Sequence, residues 1–107
     1  MEKSPSVYVR ITSEQLSKMH QALIIIEGRV QGVAYRYSAQ KRAQQLAVCG
    51  YAKNLPDGSV EILAQGEKEN LDQFIEWCRE GPPVANVDRV EVVWQEPGEK
   101  FSAFETL

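Results

Sequence analysis

The 107-residue chain is poor in the side chains that carry most enzymatic chemistry, with two cysteines and one histidine. A metal centre built on several His or Cys ligands is hard to assemble from Cys49, Cys78 and His20 alone. A Ser-His-Asp triad would have to rest on His20, in a plain N-terminal segment. Basic residues are not in excess: 12 Lys and Arg against 15 Asp and Glu give a net charge of −3, which argues against a general nucleic-acid binder. No apolar run is long enough to span a membrane, and no basic-then-apolar leader opens the chain. The expectation is a cytoplasmic protein with no membrane partner. There is no Walker A sequence, and Gly28 and Gly32 have the wrong spacing for a dinucleotide fingerprint, with no third glycine following. Neither internal repeats nor low-complexity tracts appear.

What is present is an ordinary soluble composition, 43% hydrophobic and 25% charged, on a length that suits one compact domain. Residues 1–21 read as an extension. Val7, Val9 and Ile11 alternate with polar neighbours as in a short strand, Thr12 and Gln15 have capping-box spacing, and a loose tail accounts for the segment equally well. The domain is expected over residues 22–107. Ala22 to Val30 reads as a buried strand. Val33 to Ala47 follows as a helix with Ala39, Ala43, Leu46 and Ala47 on one stripe. Val48 to Leu55 is a second strand, Pro56-Asp57-Gly58 a turn, and Ser59 to Gln65 a third strand ended by Gly66. Glu67 to Glu80 is a second helix, with Leu71, Phe74, Ile75 and Cys78 at i, i+3, i+4, i+7 and acids in its first turn. Gly81-Pro82-Pro83 stops it. Val87 to Gln95 is a fourth strand with Val90, Val92 and Trp94 facing one way, and Phe101 to Leu107 offers a short fifth. The order β-α-β-β-α-β predicts an α+β, ferredoxin-like sandwich: an antiparallel sheet with two helices on one face and a short extra C-terminal strand.

One stretch asks for a chemical account. Glu27 to Gln40, EGRVQGVAYRYSAQ, joins the first strand to the first helix and sets Arg36 in the first helical turn. A cation there is unfavourable by roughly 0.3–1 kcal/mol, because the helix start is already electropositive. An anion held between the loop amides and the guanidinium would reverse that sign. Arg36 would then fork two hydrogen bonds onto phosphate oxygens. Taken alone, a solvated arginine beside an ordinary βα turn explains the pattern better. Asn54, at the end of the second strand, reads most simply as a turn residue capping its own backbone. Its carboxamide, both donor and acceptor, would equally orient a water molecule.

Together the two stretches resemble a known family. Gly28-Arg29-Val30-Gln31-Gly32-Val33-Ala34-Tyr35-Arg36 looks like the first signature of the acylphosphatases. Gly50-Tyr51-Ala52-Lys53-Asn54, followed by Gly58, Val60 and Gly66, looks like the second. The resemblance runs from Ala22 to about Leu107. Departures are Tyr51 where tryptophan is frequent, Ala47 where a glycine often ends the helix, and the missing C-terminal tyrosine. The resemblance implies metal-independent hydrolysis of acyl phosphates with no cofactor. It implies Arg36 and Asn54 as the catalytic side chains, one holding the phosphoryl group and the other positioning the attacking water. Backbone amides of Gln31, Gly32, Val33, Ala34, Tyr35 and Arg36 would surround the phosphate, with the side chains of Gln31, Val33 and Ala34 mattering less. Phosphate and sulfate would inhibit, and the protein would act as a monomer.

Two other readings stay open on the sequence. One is a non-catalytic phosphate- or carbamoyl-phosphate-binding module. The other is an RNA-recognition domain of the same strand and helix order, opposed by the acidic balance and by the missing aromatic signature in Ser59-Val60-Glu61-Ile62-Leu63. Cys49 and Cys78 suit reduced buried thiols, and a Cys49–Cys78 disulfide remains an alternative. Trp77 and Trp94 read as packing residues, and His20 as an exposed tail residue.

Overall fold

The computed structural model describes residues 18–107. The strand expected near Val7 to Ile11 and the helix start expected at Thr12 lie outside the described residues. The elements are β1 (Met19–Arg29), α1 (Tyr35–Gln45), β2 (Cys49–Asn54), β3 (Val60–Glu67), α2 (Lys68–Glu80), β4 (Asn86–Gln95) and β5 (Phe104–Thr106). The sheet order is β4-β1-β3-β2-β5. Period-two alternation sends Ala22, Ile24 and Ile26 of β1, with Val60, Ile62 and Ala64 of β3, to a fully buried face. Both helices cover that face. α1 brings Tyr35, Ala39 and Ala43, while α2 brings the expected stripe of Leu71, Phe74, Ile75 and Cys78. Among the described residues no helix is long and apolar enough to cross a membrane.

The four main strands pair antiparallel as expected, and the short extra strand β5 makes the sheet mixed by running parallel to β2. The chain leaves β4 beside the start of β1, where Gln21 pairs with Gln95, and crosses the sheet at that end. Buried Gln21 and Gln65 hold the crossing. Gln65 Nε2 donates to Gln21 Oε1 (2.8 Å) and to the Glu99 carbonyl (2.6 Å). The N–H groups of Gly98 and Phe101 donate to Gln21 Oε1 and Gln65 Oε1, both at 3.1 Å. Phe101 then packs against Tyr51 of β2, with ring centroids 6.0 Å apart. A strand entering from the end at which β2 begins must run in the same direction as β2. It therefore finishes at the opposite end, where β1 passes into the Gln31–Ala34 loop.

Several boundaries shift for local reasons. β1 starts at Met19, ahead of the expected Ala22, and so gives β3 a partner beyond Gln65. Gly66 pairs with His20 instead of ending the strand. His20 is thus a strand residue, edge-on to Trp94 at 6.5 Å. Trp94 is 43% exposed rather than packed inward, with Lys68 Nζ 5.1 Å above its ring. Trp77 does pack, between Tyr35 and Phe74. The two cysteines are free and buried, so the disulfide alternative is closed.

α1 ends at Gln45, short of the expected Ala47. Val48 N–H reaches the Ala43 carbonyl (2.8 Å) and Ala47 N–H the Gln44 carbonyl (3.4 Å), the paired bonds of a Schellman cap. Ala47 stands at the left-handed position with φ 57°, exposed and off the core stripe. An alanine there is strained where glycine is not. Ala47→Gly is expected to stabilise the fold by about 0.5–1 kcal/mol, the strain relieved less the added chain entropy. An unchanged or lower melting temperature would contradict this account of the cap.

Candidate active site

The loop between β1 and α1 is shaped by backbone conformations that side chains resist. Gly32 has φ 76° and Ala34 φ 63°, on either side of Val33. A non-glycine residue held left-handed costs roughly 1–2 kcal/mol, and such strain concentrates at functional sites. Ala34 is the N-cap of α1 and makes no side-chain cap hydrogen bond, which starts the helix later than the expected Val33. The Ser38 N–H to Ala34 carbonyl bond (3.0 Å) opens the helical ladder. The N–H groups of Tyr35, Arg36 and Tyr37 precede it and have no intrahelical acceptor. The first turn contains no acidic residue. A helix N-terminus without cap or carboxylate, carrying a half-buried arginine, suits an anion by its electrostatics.

Tyr35 fixes where that turn begins. Its ring is buried and its hydroxyl donates to the Cys78 carbonyl at 2.7 Å. The bond satisfies one of the orphan carbonyls at the C-terminus of α2. Burial first, and then the electrostatic influence of Cys78, hold the phenol protonated far above its ordinary range. Cys78 is pushed up to about 12 by burial, and Cys49 is also raised by burial. Neither thiol offers the thiolate a nucleophile requires.

Arg36 sits in the first turn as expected, and Nη1 donates to the main-chain oxygen of Leu107. Leu107 N–H in turn donates to the Ala52 carbonyl of β2 at 2.9 Å. On the other side of the loop, Gln31 Nε2 donates to the carbonyls of Leu55 and Ser59, both at 2.8 Å. The loop is therefore tied to the C-terminal end of β2 both before and after Asn54. Asn54 itself is exposed, and its carboxamide makes no hydrogen bond among the described residues. Capping of the hairpin turn falls to Asp57 instead. Asp57 Oδ1 accepts from Ser59 Oγ (2.6 Å) and Ser59 N–H (3.0 Å), and these bonds hold its carboxyl below the usual carboxylate pKa range. The turn therefore does not draw on the Asn54 carboxamide.

The sequence model of the acylphosphatase family matches residues 22–106. The chain belongs to the acylphosphatase family. A relative named acylphosphatase, from Acaryochloris marina, is 51% identical over 83 residues, covering 78% of this chain and 88% of that one. The acylphosphatase structure from Coxiella burnetii superposes with a TM-score of 0.83 at 33% identity, over 90% of this chain and 100% of the other. The Bacillus subtilis acylphosphatase crystal structure gives 0.80 at 38% identity, over 82% and 98%.

Arg36 of the first acylphosphatase signature and Asn54 of the second lie at one end of the sheet, the end where β1 and β2 finish. The sequence had singled out Arg36 and Asn54 but not what holds them. The Arg36 partner, Leu107, lies 71 positions away and bonds through its main chain, so no residue type announces it. Gln31 had been noted for its backbone, whereas its side chain makes the tie to the hairpin. Its signal was available only in outline: a carboxamide carries two N–H donors in one plane, which suits two neighbouring carbonyls.

Proposed function

We propose that the protein hydrolyses the carboxyl–phosphate bond of acyl phosphates by direct in-line attack of water, with no metal and no phosphoenzyme. The observation that carries the reading is the bracketing of an unpartnered Asn54 by two ties from the arginine-bearing loop. Arg36 and the loop amides of Gln31 to Arg36 hold the phosphoryl oxygens, where negative charge sits in a loose transition state. The Asn54 carboxamide orients water opposite the leaving oxygen. The water oxygen forms the new bond to phosphorus, and the bond from phosphorus to the carboxyl oxygen breaks. The electron pair leaves with the carboxylate. The conjugate acid of that leaving group has a pKa near 4, so departure requires no proton donor. The proton of the water passes to a phosphate oxygen of the substrate. Positioning and charge stabilisation are then enough. Phosphate and sulfate compete for the same cradle. Free buried thiols suit a reducing, cytoplasmic setting, and a monomer carries the whole site.

The test is hydrolysis of benzoyl phosphate by the wild-type protein with a chelator present, followed by an acid quench during turnover. Metal-independent release of phosphate without a trapped phosphoprotein is the expected result. A trapped phosphoprotein would overturn the single-step mechanism. Absence of turnover in folded protein that still binds phosphate would replace the enzyme with a binding module.

A further inference from the structure

The Gln31 side chain does something the loop geometry does not require. A glutamine carboxamide has two N–H bonds on one nitrogen. Here both are used, one on the Leu55 carbonyl and one on the Ser59 carbonyl, each at 2.8 Å. These carbonyls already close the hairpin between β2 and β3: Leu55 N–H donates to Ser59 O (2.9 Å), and Gly58 N–H donates to Leu55 O (3.1 Å). The carboxamide therefore caps the mouth of the turn from outside. It does so from the first residue of the anion loop, and it lands on the residue next to Asn54. The Asp57 carboxylate bonds Ser59 from within the turn, so the hairpin has turn bonds of its own that do not involve Gln31.

We infer that Gln31 is a positioning residue, setting the distance between the phosphate cradle and the Asn54 carboxamide. The inference rests on the proposed hydrolysis. Without the bridge the loop keeps Gly32, Ala34 and the start of α1, and so keeps an anion cradle. The hairpin keeps its own turn bonds. What is lost is the register of one against the other, and with it the line from water to phosphorus. Misplacement of about 1 Å in such a line lowers rate by as much as 10²-fold. Ground-state binding of phosphate does not depend on that line. The bridge acts on kcat and spares anion affinity.

The experiment is a double-mutant cycle on benzoyl phosphate hydrolysis with wild type, Gln31→Met, Asn54→Ala and the double variant. The phosphate inhibition constant is measured for each. Methionine keeps length and removes both donors. Gln31→Met is expected to lose roughly 10- to 100-fold in kcat with its phosphate constant changed by less than about threefold. The double variant is expected to be no slower than Asn54→Ala, because the bridge acts through that residue. Gln31→Lys, which restores donors on a side chain of similar reach, should recover kcat; it also serves if the methionine variant does not fold. A kcat for Gln31→Met equal to wild type, losses that multiply in the double variant, or a folded Gln31→Lys as slow as Gln31→Met would each overturn the positioning role. In those cases an active wild type impaired by Asn54→Ala leaves the hydrolysis itself standing. An inactive wild type overturns both.

Discussion

Arg36→Ala is expected to lower kcat/KM for an acyl phosphate by about 10³-fold or more, while the ligand-free protein keeps its fold. The two halves of that expectation have different causes. In the free protein the guanidinium is a cation in a helix first turn that contains no acid, which costs roughly 0.3–1 kcal/mol. Among the described residues its guanidinium donates to the main-chain oxygen of Leu107. Removing the side chain relieves the first and loses the second, so the net change in stability stays within about 1 kcal/mol. With a phosphoryl group in place, the balance reverses. The arginine then meets charge spread over equatorial oxygens, and a planar fork matches two of them. Arg36→Lys should recover only part of the loss, since an ammonium offers a point charge without the fork. Phosphate should raise the wild-type melting temperature by mass action and leave that of Arg36→Ala unmoved. Asn54→Ala should keep most of the phosphate effect and still lose turnover. If the Asn54 variant lost anion binding as fully as the Arg36 variant, the water-positioning role would be wrong.

The architecture was legible where residue type and physical demand coincide. The dense apolar run Ala22 to Ile26 and the i, i+3, i+4, i+7 stripe of α2 became the strand and the helix they suggest. The sequence misread positions where a residue occupies a conformation that its type disfavours. Ala34 and Ala47 both have positive φ, at 63° and 57°, and so α1 is shorter at both ends than its apolar spacing suggests. It also missed what depends on distant pairing. The parallel run of β5 follows from a loop held by Gln21 and Gln65 across the sheet, and two glutamines in separate strands carry no pattern. His20 and Trp94 meet only because β1 and β4 pair, which makes a strand residue of the one and an edge residue of the other. At the candidate site, two polar side chains were legible and the scaffolding around them was not. Arg36 and Asn54 stand out as polar side chains inside two signatures, whereas their supports are mostly main-chain atoms.

The other large effect is structural, and it separates the two signatures by what their glycines do. Gly50 lies in β2 with φ 140°, and a Cβ built on it would come within 1.8 Å of the Leu63 carbonyl oxygen of β3. The obstacle is backbone, paired in register with β2 along the hairpin, so no rotamer change relieves it. Gly50→Ala must break strand pairing at a buried position and is expected to cost more than about 4 kcal/mol, a large share of the roughly 5–15 kcal/mol that a domain of this kind has. Gly32 differs: it has φ 76°, but nothing lies within 4 Å of the corresponding Cβ. Gly32→Ala should fold, with only the left-handed penalty of about 1–2 kcal/mol. Urea unfolding of the two variants provides the comparison. Both should lose activity, Gly50→Ala through the population that is unfolded and Gly32→Ala through a strained cradle in a folded protein. Phosphate at saturating concentration would then rescue part of the Gly50→Ala population by linkage, because its cradle is intact whenever it folds. Equal stability of the two variants would show that the close approach of Gly50 to Leu63 is relieved by a small strand shift, and the second signature would have to owe its glycine to something other than packing.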